Sequence, residues 1–272
     1  MIANVLSIAG SDPSGGAGIQ ADLKAISANG AFAMAVVTAL TAQNTQGVNG
    51  VHLIPPAFVQ AQIDAIFDDI RVDAIKIGMI ANAEIAMAVE QALSGRNAPI
   101  ILDPVMIAKG GAPLLEANAI EVMRNALLPM ARVLTPNLPE AAHLLGSAIA
   151  TTRSEMVTQG RALCALGPSA VLMKGGHLHD AQSPDCLVTD DTVTWFEGLR
   201  TSTQNTHGTG CTLSSALAAQ LAVHGDLSTA VAAAKSYVTA AIAQADQLSV
   251  GSGHGPTHHF AEIYQILKET RS

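Results

Sequence analysis

The stretch NTHGTGCT, residues 205–212, carries two glycines and a cysteine where a helical pattern begins. Gly208 and Gly210 allow successive backbone N–H groups to point one way at the positive end of a helix dipole, which makes a site for an anion. The same dipole favours the thiolate of Cys211, and a thiolate beside a bound phosphate can act as general base toward an alcohol. A plain helix cap with a buried cysteine explains the loop equally well, and both interpretations stay open.

Charged side chains also follow two candidate buried strands. TPNLPE places Asn137 and Glu140 after one strand, and VLMKGG places Lys174 at the end of another. Open α/β sheets bind ligands at the carboxyl ends of their strands. A carboxylate in a first helical turn and a lysine that caps a sheet are the ordinary structural alternatives. Taken together, the three stretches supply an anion nest, a cation, a carboxylate for a metal and a base, which suits phosphoryl transfer.

A second glycine loop, GSDPSGGAGIQAD, spans residues 10–22 and matches the dinucleotide-binding pattern G-x-G-x-x-A from Gly16 onward. That pattern places its first glycine close to the strand end and an acidic residue about 20 residues further on. Here the strand ends near Gly10, and no Asp or Glu stands between Asp22 and Asp64. The sequence therefore disfavours a dehydrogenase, and the absence of G-x-x-x-x-G-K-[ST] excludes a P-loop. The glycines either relieve a turn or admit a flat ligand, with Asp12 and Asp22 as acceptors.

These residues need strands and helices to position them. Continuous apolar runs indicate strands buried on both faces, and the helical patterns between them indicate βαβ units. The sequence predicts an α/β protein of one domain over 1–272, with a mostly parallel sheet and a hairpin whose strands, 186–188 and 193–196, flank TDDT. The other predicted strands are 4–9, 34–40, 50–54, 74–77, 100–102, 133–135 and 170–173. The predicted helices are 16–29, 56–70, 83–93, 117–127, 139–145, 154–166, 211–224, 226–247 and 258–269.

Composition excludes several classes of function. A net charge of −8 and an aromatic content of 3% argue against binding nucleic acid through phosphates or base stacking. No apolar stretch reaches the length of about 18 residues that a membrane span needs. The N-terminus lacks the basic region and cleavage site of a signal peptide, and three dispersed cysteines suit a reducing compartment. We therefore expect a cytoplasmic protein with no nucleic-acid or membrane partner.

Seven motifs carry a resemblance to one family: AGSDPSGGAGIQADLK, TALTAQNTQGV, KIGM, LDPVM, TPNLPEA, VLMKGGH and NTHGTGCT. In this combination and order, from residue 4 to about 260, the chain resembles the hydroxymethylpyrimidine/phosphomethylpyrimidine kinases of thiamine synthesis, in the ribokinase-like superfamily. The resemblance implies a ribokinase-like three-layer α/β/α sandwich, a homodimer and the use of Mg-ATP. It also implies two successive phosphorylations, first of the hydroxymethyl group of 4-amino-5-hydroxymethyl-2-methylpyrimidine and then of the resulting monophosphate.

The resemblance also implies roles for individual residues. Gln43 would hydrogen-bond the aminopyrimidine, because a side-chain amide donates and accepts at once. The anion hole would extend from Gly208 to Cys211, with Cys211 as the base where many relatives carry a catalytic Asp. The pocket for the pyrimidine would be lined by Gly10, Asp22, Met79 and Val105. The contacts to ATP would come from Lys174, Asn137 and Thr209. The ligands of Mg²⁺ would be Glu140 and Asp103.

Some features have no role at this point. Lys109 suits a solvated loop better than a phosphate contact, and His207 in the anion loop is interpreted as positional. The ending GSGHGPTHHF resembles the family's C-terminal signature, but the sequence assigns it no chemistry. Its histidines, His254, His258 and His259, lack a nearby carboxylate and do not form a convincing metal site.

Two alternatives to a pyrimidine kinase remain besides the disfavoured dehydrogenase. A pyridoxal kinase shares the expected fold and the glycine-rich anion loop, and Gln43 with the pocket of Met79 and Val105 favours the aminopyrimidine over it. A non-catalytic ligand-binding protein on the same fold would be expected to have lost Cys211, Glu140 or Lys174, and all of these are present.

Overall fold

The computed structural model describes residues 1–106, 117–178 and 182–270 of the chain. Its strands, in chain order, are β1 (Asn4–Ala9), β2 (Phe32–Val37), β3 (Ala39–Asn44), β4 (Gly47–Leu53), β5 (Ala74–Ile77), β6 (Ile100–Leu102), β7 (Val133–Leu134), β8 (Val171–Lys174), β9 (Asp185–Val188) and β10 (Val193–Phe196). An eight-stranded sheet has the order β10-β9-β8-β7-β6-β5-β1-β2. Its neighbouring strands pair in parallel except that β9 is antiparallel to both β8 and β10, which confirms the mostly parallel sheet and the hairpin around TDDT.

Helices cover both faces of this sheet. The helices of the described residues are α1 (Gly18–Ala28), α2 (Pro56–Asp69), α3 (Ala83–Leu93), α4 (Ala117–Val122), α5 (Leu138–Leu145), α6 (Arg153–Cys164), α7 (Thr209–His224), α8 (Leu227–Ala243) and α9 (Ala261–Glu269), the last of which buries no side chain. Side chains of α2, α3, α5 and α6 form a core with one face of the sheet, to which β1 contributes Leu6 and Ile8. Side chains of α1, α7 and α8 form a second core with the other face, to which β1 contributes Val5. The predicted three-layer α/β/α architecture is therefore confirmed.

The segment predicted as one strand, 34–40, is divided at Thr38. The Thr38 hydroxyl donates to the carbonyl oxygen of Met79 at 2.7 Å, and its N–H donates to that of Ala9 at 3.0 Å. The chain then leaves the large sheet as β3, which pairs with β4 in a separate antiparallel sheet where Thr41 lies opposite Val51. The predicted strand 50–54 is the end of this small sheet and takes no part in the large one.

The other predicted elements are confirmed with shifts at their ends. Two of these shifts matter for the site: α1 begins after the glycine loop at Gly18, and α7 begins at Thr209, before Cys211. The predicted helix 117–127 continues from α4 into a π-helical turn, Met123–Leu127. None of the helices in the described part of the chain combines the length and apolarity that crossing a bilayer requires.

Candidate active site

The N-terminus of α7 has the geometry of an anion nest. Gly208 is its N-cap in the left-handed region, with φ of 74°, and Thr212 closes the first turn with an N–H to the Gly208 oxygen at 2.8 Å. Among the described residues, the backbone N–H groups of Gly210 and Cys211 have no acceptor. A Cβ at Gly208 would lie 1.8 Å from the carbonyl oxygen of Gly16, so the anion loop packs directly on the first glycine loop.

Lys174 joins two carboxylates at this helix end. Its Nζ lies 2.9 Å from Asp103 Oδ1 and 3.7 Å from Glu140 Oε2. A Cβ at Gly210 would lie 3.4 Å from the same nitrogen, so the ammonium group borders the anion nest. Burial lowers the pKa of Lys174, but the charge of Asp103 and then that of Glu140 outweigh it, and the pKa is raised. The structure thus brings together residues that leave β6, β7 and β8, because parallel strands end at one edge of the sheet.

Asn137 and Glu140 form a capping box at the start of α5. Glu140 Oε2 accepts the N–H of Asn137 at 2.7 Å, and Asn137 Oδ1 accepts the N–H of Glu140 at 2.8 Å. Burial raises the pKa of Glu140 to about 7, against the opposing charge of Lys174. The oxygen of Asn137 that a ligand could use is therefore engaged in the cap, and Glu140 remains beside Lys174.

The fit of Mg²⁺ to this cluster depends on its carboxylates. Asp103 is buried and its oxygens accept hydrogen bonds from Lys174, Thr135 and Ser214. Within the described ranges, no group of three or more His, Cys, Asp or Glu side chains converges as a metal site. Mg²⁺ commonly takes one or two carboxylates and completes its shell with phosphate oxygens and water. Asp103 and Glu140 fit that kind of site and do not form an all-protein cage.

The Cys211 thiol differs from the expectation drawn from the helix dipole. Burial raises the pKa of Cys211 to about 11; the charge of Lys76 lowers it, and those of Asp22 and Asp103 raise it further. Burial therefore opposes the thiolate that the helix N-terminus was expected to favour, and this geometry gives that expectation no support. Desolvation of the thiolate outweighs the dipole because Cys211 sits where α7 meets the sheet, in the first turn of a helix whose next residues are buried.

The residues expected to bind the acceptor make two contacts that bear on their roles. Met79 packs on Gly10, where a Cβ would lie 2.3 Å from the methionine Cε. Gln43, on β3, places its side-chain nitrogen 3.4 Å from His207 Nε2. Val105 is partly exposed just after Asp103. The individual roles of these residues therefore stay predictions.

Asp22 has a different setting from the one expected. Its two oxygens each lie 2.8 Å from Lys76 Nζ and also accept the hydroxyls of Ser7 and Ser215. Neither side chain of the ion pair is exposed. The prediction that Asp22 faces a substrate therefore has no support in this geometry. Sequence reasoning missed Lys76, although a lysine inside the buried strand AIKI was the signal.

The ending GSGHGPTHHF lies between the tip of the β3–β4 hairpin and the anion loop. A Cβ at Gly253 would lie 2.1 Å from the carbonyl oxygen of Thr45, and one at Gly255 would lie 2.1 Å from Asn205 Oδ1. His259 Nε2 hydrogen-bonds the hydroxyl of Thr212 at 3.0 Å, and burial lowers the pKa of His259 to about 3. This segment therefore has a packing role that its glycines make possible. Lys109 lies outside the described residues.

Comparison with known proteins agrees with this architecture. The family model described as phosphomethylpyrimidine kinase matches residues 12–258. A hydroxymethylpyrimidine/phosphomethylpyrimidine kinase of Salmonella typhimurium is 56% identical over 94% of this chain and 97% of its own length. The protein of that name from Escherichia coli is 54% identical over the same shares of the two chains.

Solved structures give the same fold. A phosphomethylpyrimidine kinase from Clostridium difficile, 41% identical, superposes with a TM-score of 0.78 over 87% of this chain and 98% of its own. The pyridoxal kinase of Bacillus subtilis, solved as an ADP complex and 34% identical, superposes with a TM-score of 0.89 over 97% of this chain and 99% of its own. The expected ribokinase-like fold is thereby confirmed.

Proposed function

Since the chain belongs to the phosphomethylpyrimidine kinase family, we propose that it phosphorylates the hydroxymethyl group of 4-amino-5-hydroxymethyl-2-methylpyrimidine and then the resulting monophosphate. The phosphoryl donor is ATP with Mg²⁺, and the product is a diphosphate for thiamine synthesis. Support comes from relatives at 56% and 54% identity whose name states both kinase activities.

The observation that carries this proposal is the position of Lys174 beside the first turn of α7. A fixed cation and unpaired N–H groups at a helix N-terminus are what a transferring phosphoryl group needs, because its catalysis rests on positioning and charge neutralisation. Lys174 is held by Asp103 at 2.9 Å and therefore presents its charge without reorganisation. The N–H groups of Gly210 and Cys211 donate to phosphate oxygens. Thr209, expected to contact ATP directly, instead donates its N–H and hydroxyl to the carbonyl oxygen of Thr206 and so holds the turn that presents these two N–H groups.

Asp103 and Glu140 hold Lys174 and offer carboxylate oxygens on the same side of the nest. Mg²⁺, when bound, neutralises charge on the phosphate oxygens. Asn137 orients Glu140 through the capping box and acts on the phosphate side through it.

Cys211 accepts the proton of the acceptor hydroxyl in the first step. Its raised pKa of about 11 makes the thiolate a strong base but a scarce one near neutral pH. The second step starts from a phosphate monoester that is already largely ionised, so it requires no base of this strength. Gln43, Gly10, Met79 and Val105 hold the ring of the acceptor.

A pyridoxal kinase is the second candidate, because the structure of the Bacillus subtilis pyridoxal kinase superposes over nearly the whole chain. Higher identity to the pyrimidine kinases places it second. Initial rates of ATP consumption with each alcohol distinguish the two. Turnover of pyridoxal that matches or exceeds that of the pyrimidine would overturn our assignment.

The decisive experiment is product analysis with hydroxymethylpyrimidine, ATP and Mg²⁺, by chromatography that resolves the monophosphate from the diphosphate. We expect both products in sequence, and a loss of about 10²–10³-fold in rate for Lys174→Met. Lys235→Met is the matched control, because Lys235 also pairs with a buried carboxylate, Asp185 at 2.7 Å, and is equally buried. No phosphorylated product in the complete reaction would contradict the proposal.

We further propose a cytoplasmic homodimer. The resemblance to the family implies the dimer, and three cysteines that form no disulfide with one another suit the cytoplasm. Light scattering of the purified protein tests the oligomeric state, and a monomer at micromolar concentration would contradict it.

A further inference from the structure

The two glycine loops are joined by one buried pair, Asp12 and His207. His207 Nε2 lies 2.7 Å from Asp12 Oδ2, across 195 residues of sequence. Their side chains are 10% and 1% exposed. The ring lies directly on Gly16, where a Cβ would come within 2.5 Å of His207 Cδ2. His207 therefore has a fixed position, and its Nε2 also faces the amide of Gln43 at 3.4 Å.

The partners of Asp12 determine where the His207 proton resides. Asp12 Oδ1 accepts the N–H and hydroxyl of Ser14, and Oδ2 accepts the N–H of Ala17. Burial raises the pKa of Asp12, but hydrogen bonds from His207 and then Ser14 outweigh it, and the pKa is lowered. An ionised carboxylate only accepts hydrogen bonds, so the 2.7 Å contact requires the hydrogen on His207 Nε2. That nitrogen cannot then accept a hydrogen bond from the Gln43 nitrogen.

The other end of the Gln43 amide leads to the same conclusion. Thr41 Oγ1 lies 3.3 Å from that end and donates its one hydrogen to the carbonyl oxygen of Ser11 at 2.9 Å. Thr41 therefore has lone pairs to offer to Gln43 and no free hydrogen. An amide with its nitrogen toward Thr41 donates to the Thr41 hydroxyl oxygen, and its oxygen then faces the Nε2–H of His207 as a second, weaker acceptor beside Asp12. The reverse orientation opposes donor to donor at His207 and asks Thr41 for a hydrogen that it has already given to Ser11.

We propose that Asp12 and His207 are positioning residues that hold the Gln43 amide with its oxygen toward His207 and its nitrogen toward Thr41, which determines the hydrogen-bonding edge of the acceptor ring that the enzyme selects. This inference rests on the proposed function, since it concerns the same acceptor. Gln43 is only partly buried, and its remaining hydrogen and lone pair are available to a ligand. In one orientation of the acceptor ring, its ring nitrogen accepts from the Gln43 nitrogen while the neighbouring exocyclic amine donates to the Gln43 oxygen. With the amide reversed, the exocyclic amine would face the Gln43 nitrogen, donor against donor.

The test separates positioning from a general structural role. We expect His207→Leu to raise the KM for the pyrimidine alcohol about tenfold while the KM for ATP stays within about twofold. We expect His207→Gln to restore most of the affinity, because its side-chain nitrogen can donate to Asp12 and to Gln43 in place of the imidazole Nε2–H. Preference for the pyrimidine over pyridoxal should fall with His207→Leu and recover with His207→Gln.

A double-mutant cycle checks that His207 acts through Gln43. If it does, His207→Leu adds little further loss of acceptor affinity in a Gln43→Ala background. Ser14→Ala is the matched control, because it removes a contact to Asp12 Oδ1 and leaves the Oδ2 contact to His207 in place. Additive losses, equal losses for ATP and both alcohols, or an effect of Ser14→Ala as large as that of His207→Leu would overturn the proposal.

The protonation state can be measured without any activity. Nitrogen-15 NMR of histidine-labelled protein, with His207→Gln for assignment, should show the ring proton on Nε2 in the ligand-free enzyme. A His207 that is protonated on Nδ1 alone would overturn the proposal even if the enzyme phosphorylates the pyrimidine. Absence of pyrimidine turnover with Nε2 protonated would instead count against the proposed function.

Discussion

The ammonium group of Lys76 lies 2.8 Å from both carboxylate oxygens of Asp22, and neither side chain is exposed to solvent. The hydroxyls of Ser7 and Ser215 complete the hydrogen bonding of the carboxylate. The pair thereby ties β1, β5, α1 and α7 together. A buried carboxylate is stable only when it is paired and hydrogen-bonded, and Asp22 meets both conditions.

We predict that removing one partner of this ion pair lowers the stability of the fold far more than replacing both partners with apolar side chains. Lys76→Met leaves the Asp22 carboxylate buried without its counter-ion, and we expect a loss of about 3–5 kcal/mol in the free energy of unfolding. The double variant Lys76→Met/Asp22→Leu should recover part of that loss. Urea denaturation measures both. A double variant that is less stable than Lys76→Met would contradict this account.

Gly208 and Gly225, at opposite ends of α7, form a matched pair of substitutions. Their φ values are 74° and 72°, but a Cβ at Gly208 would meet the Gly16 oxygen at 1.8 Å and one at Gly225 would meet nothing within 4 Å. We expect Gly225→Ala to cost about 1 kcal/mol in stability with activity retained. Gly208→Ala should also displace the anion loop and reduce kcat about a hundredfold. Similar activities for the two variants would show that the close approach of the loops is unimportant.

Cys211→Ala should affect the two phosphorylations unequally. We expect a rate loss of about 10²–10⁴-fold in the first step, where the alcohol proton must be removed, and a smaller loss in the second. Separate assays that start from the alcohol and from the monophosphate measure the two rates. Equal losses would mean that Cys211 acts through the geometry of the anion loop.

The pH dependence of the first step tests the same base. The pKa of Cys211 is raised to about 11, so its thiolate fraction increases with pH throughout the neutral range. We expect kcat/KM for the alcohol to rise about tenfold per pH unit between about pH 7 and 9, with a flatter profile for the monophosphate. Cys211→Asp should move the rise to lower pH. A flat profile for the alcohol in the wild-type enzyme would exclude the thiolate as base.

Glu140 and Glu155 occupy equivalent positions in two capping boxes, with opposite pKa shifts. Burial raises the pKa of Glu140 to about 7. The pKa of Glu155 is lowered, chiefly because its carboxylate accepts the backbone N–H of Thr151. A raised carboxylate pKa means that stability falls as pH rises from about 4.5 to 7, because the unfolded state loses its proton first. The stability of Glu140→Gln relative to the wild type should therefore increase as pH rises across that window.

Glu155→Gln should lose relative stability as pH rises above the folded-state pKa of Glu155, because its lowered pKa stabilises the folded protein there. Thermal unfolding between about pH 2 and 8 follows both variants, because the window for Glu155 lies below 4.5, the ordinary pKa of a glutamate. Glu140→Gln should also reduce turnover and raise the Mg²⁺ concentration required, whereas Glu155→Gln should leave both unchanged. A Glu140→Gln variant with normal Mg²⁺ dependence would remove Glu140 from the metal side of the site.

Much of the site was predictable because its signals are local. Gly208, Gly210 and Lys174 each stand at the end of a strand or the start of a helix, and periodicity locates those ends within a few residues. The division at Thr38 was not predictable, since the apolar run continues through it and only hydrogen bonds to Ala9 and Met79 end β2 there.

Local sequence patterns were enough to predict the succession of strands and helices along the chain, the chemical groups at the strand ends and the family. Tertiary structure alone decided which groups meet: Asp22 with Lys76, and Asp12 with His207 across 195 residues. It also decided the protonation of Cys211, whose pKa burial raises to about 11 against the helix dipole. The physical reason is that patterning and capping act between residues a few positions apart, whereas desolvation and ion pairing depend on everything that packs around a group.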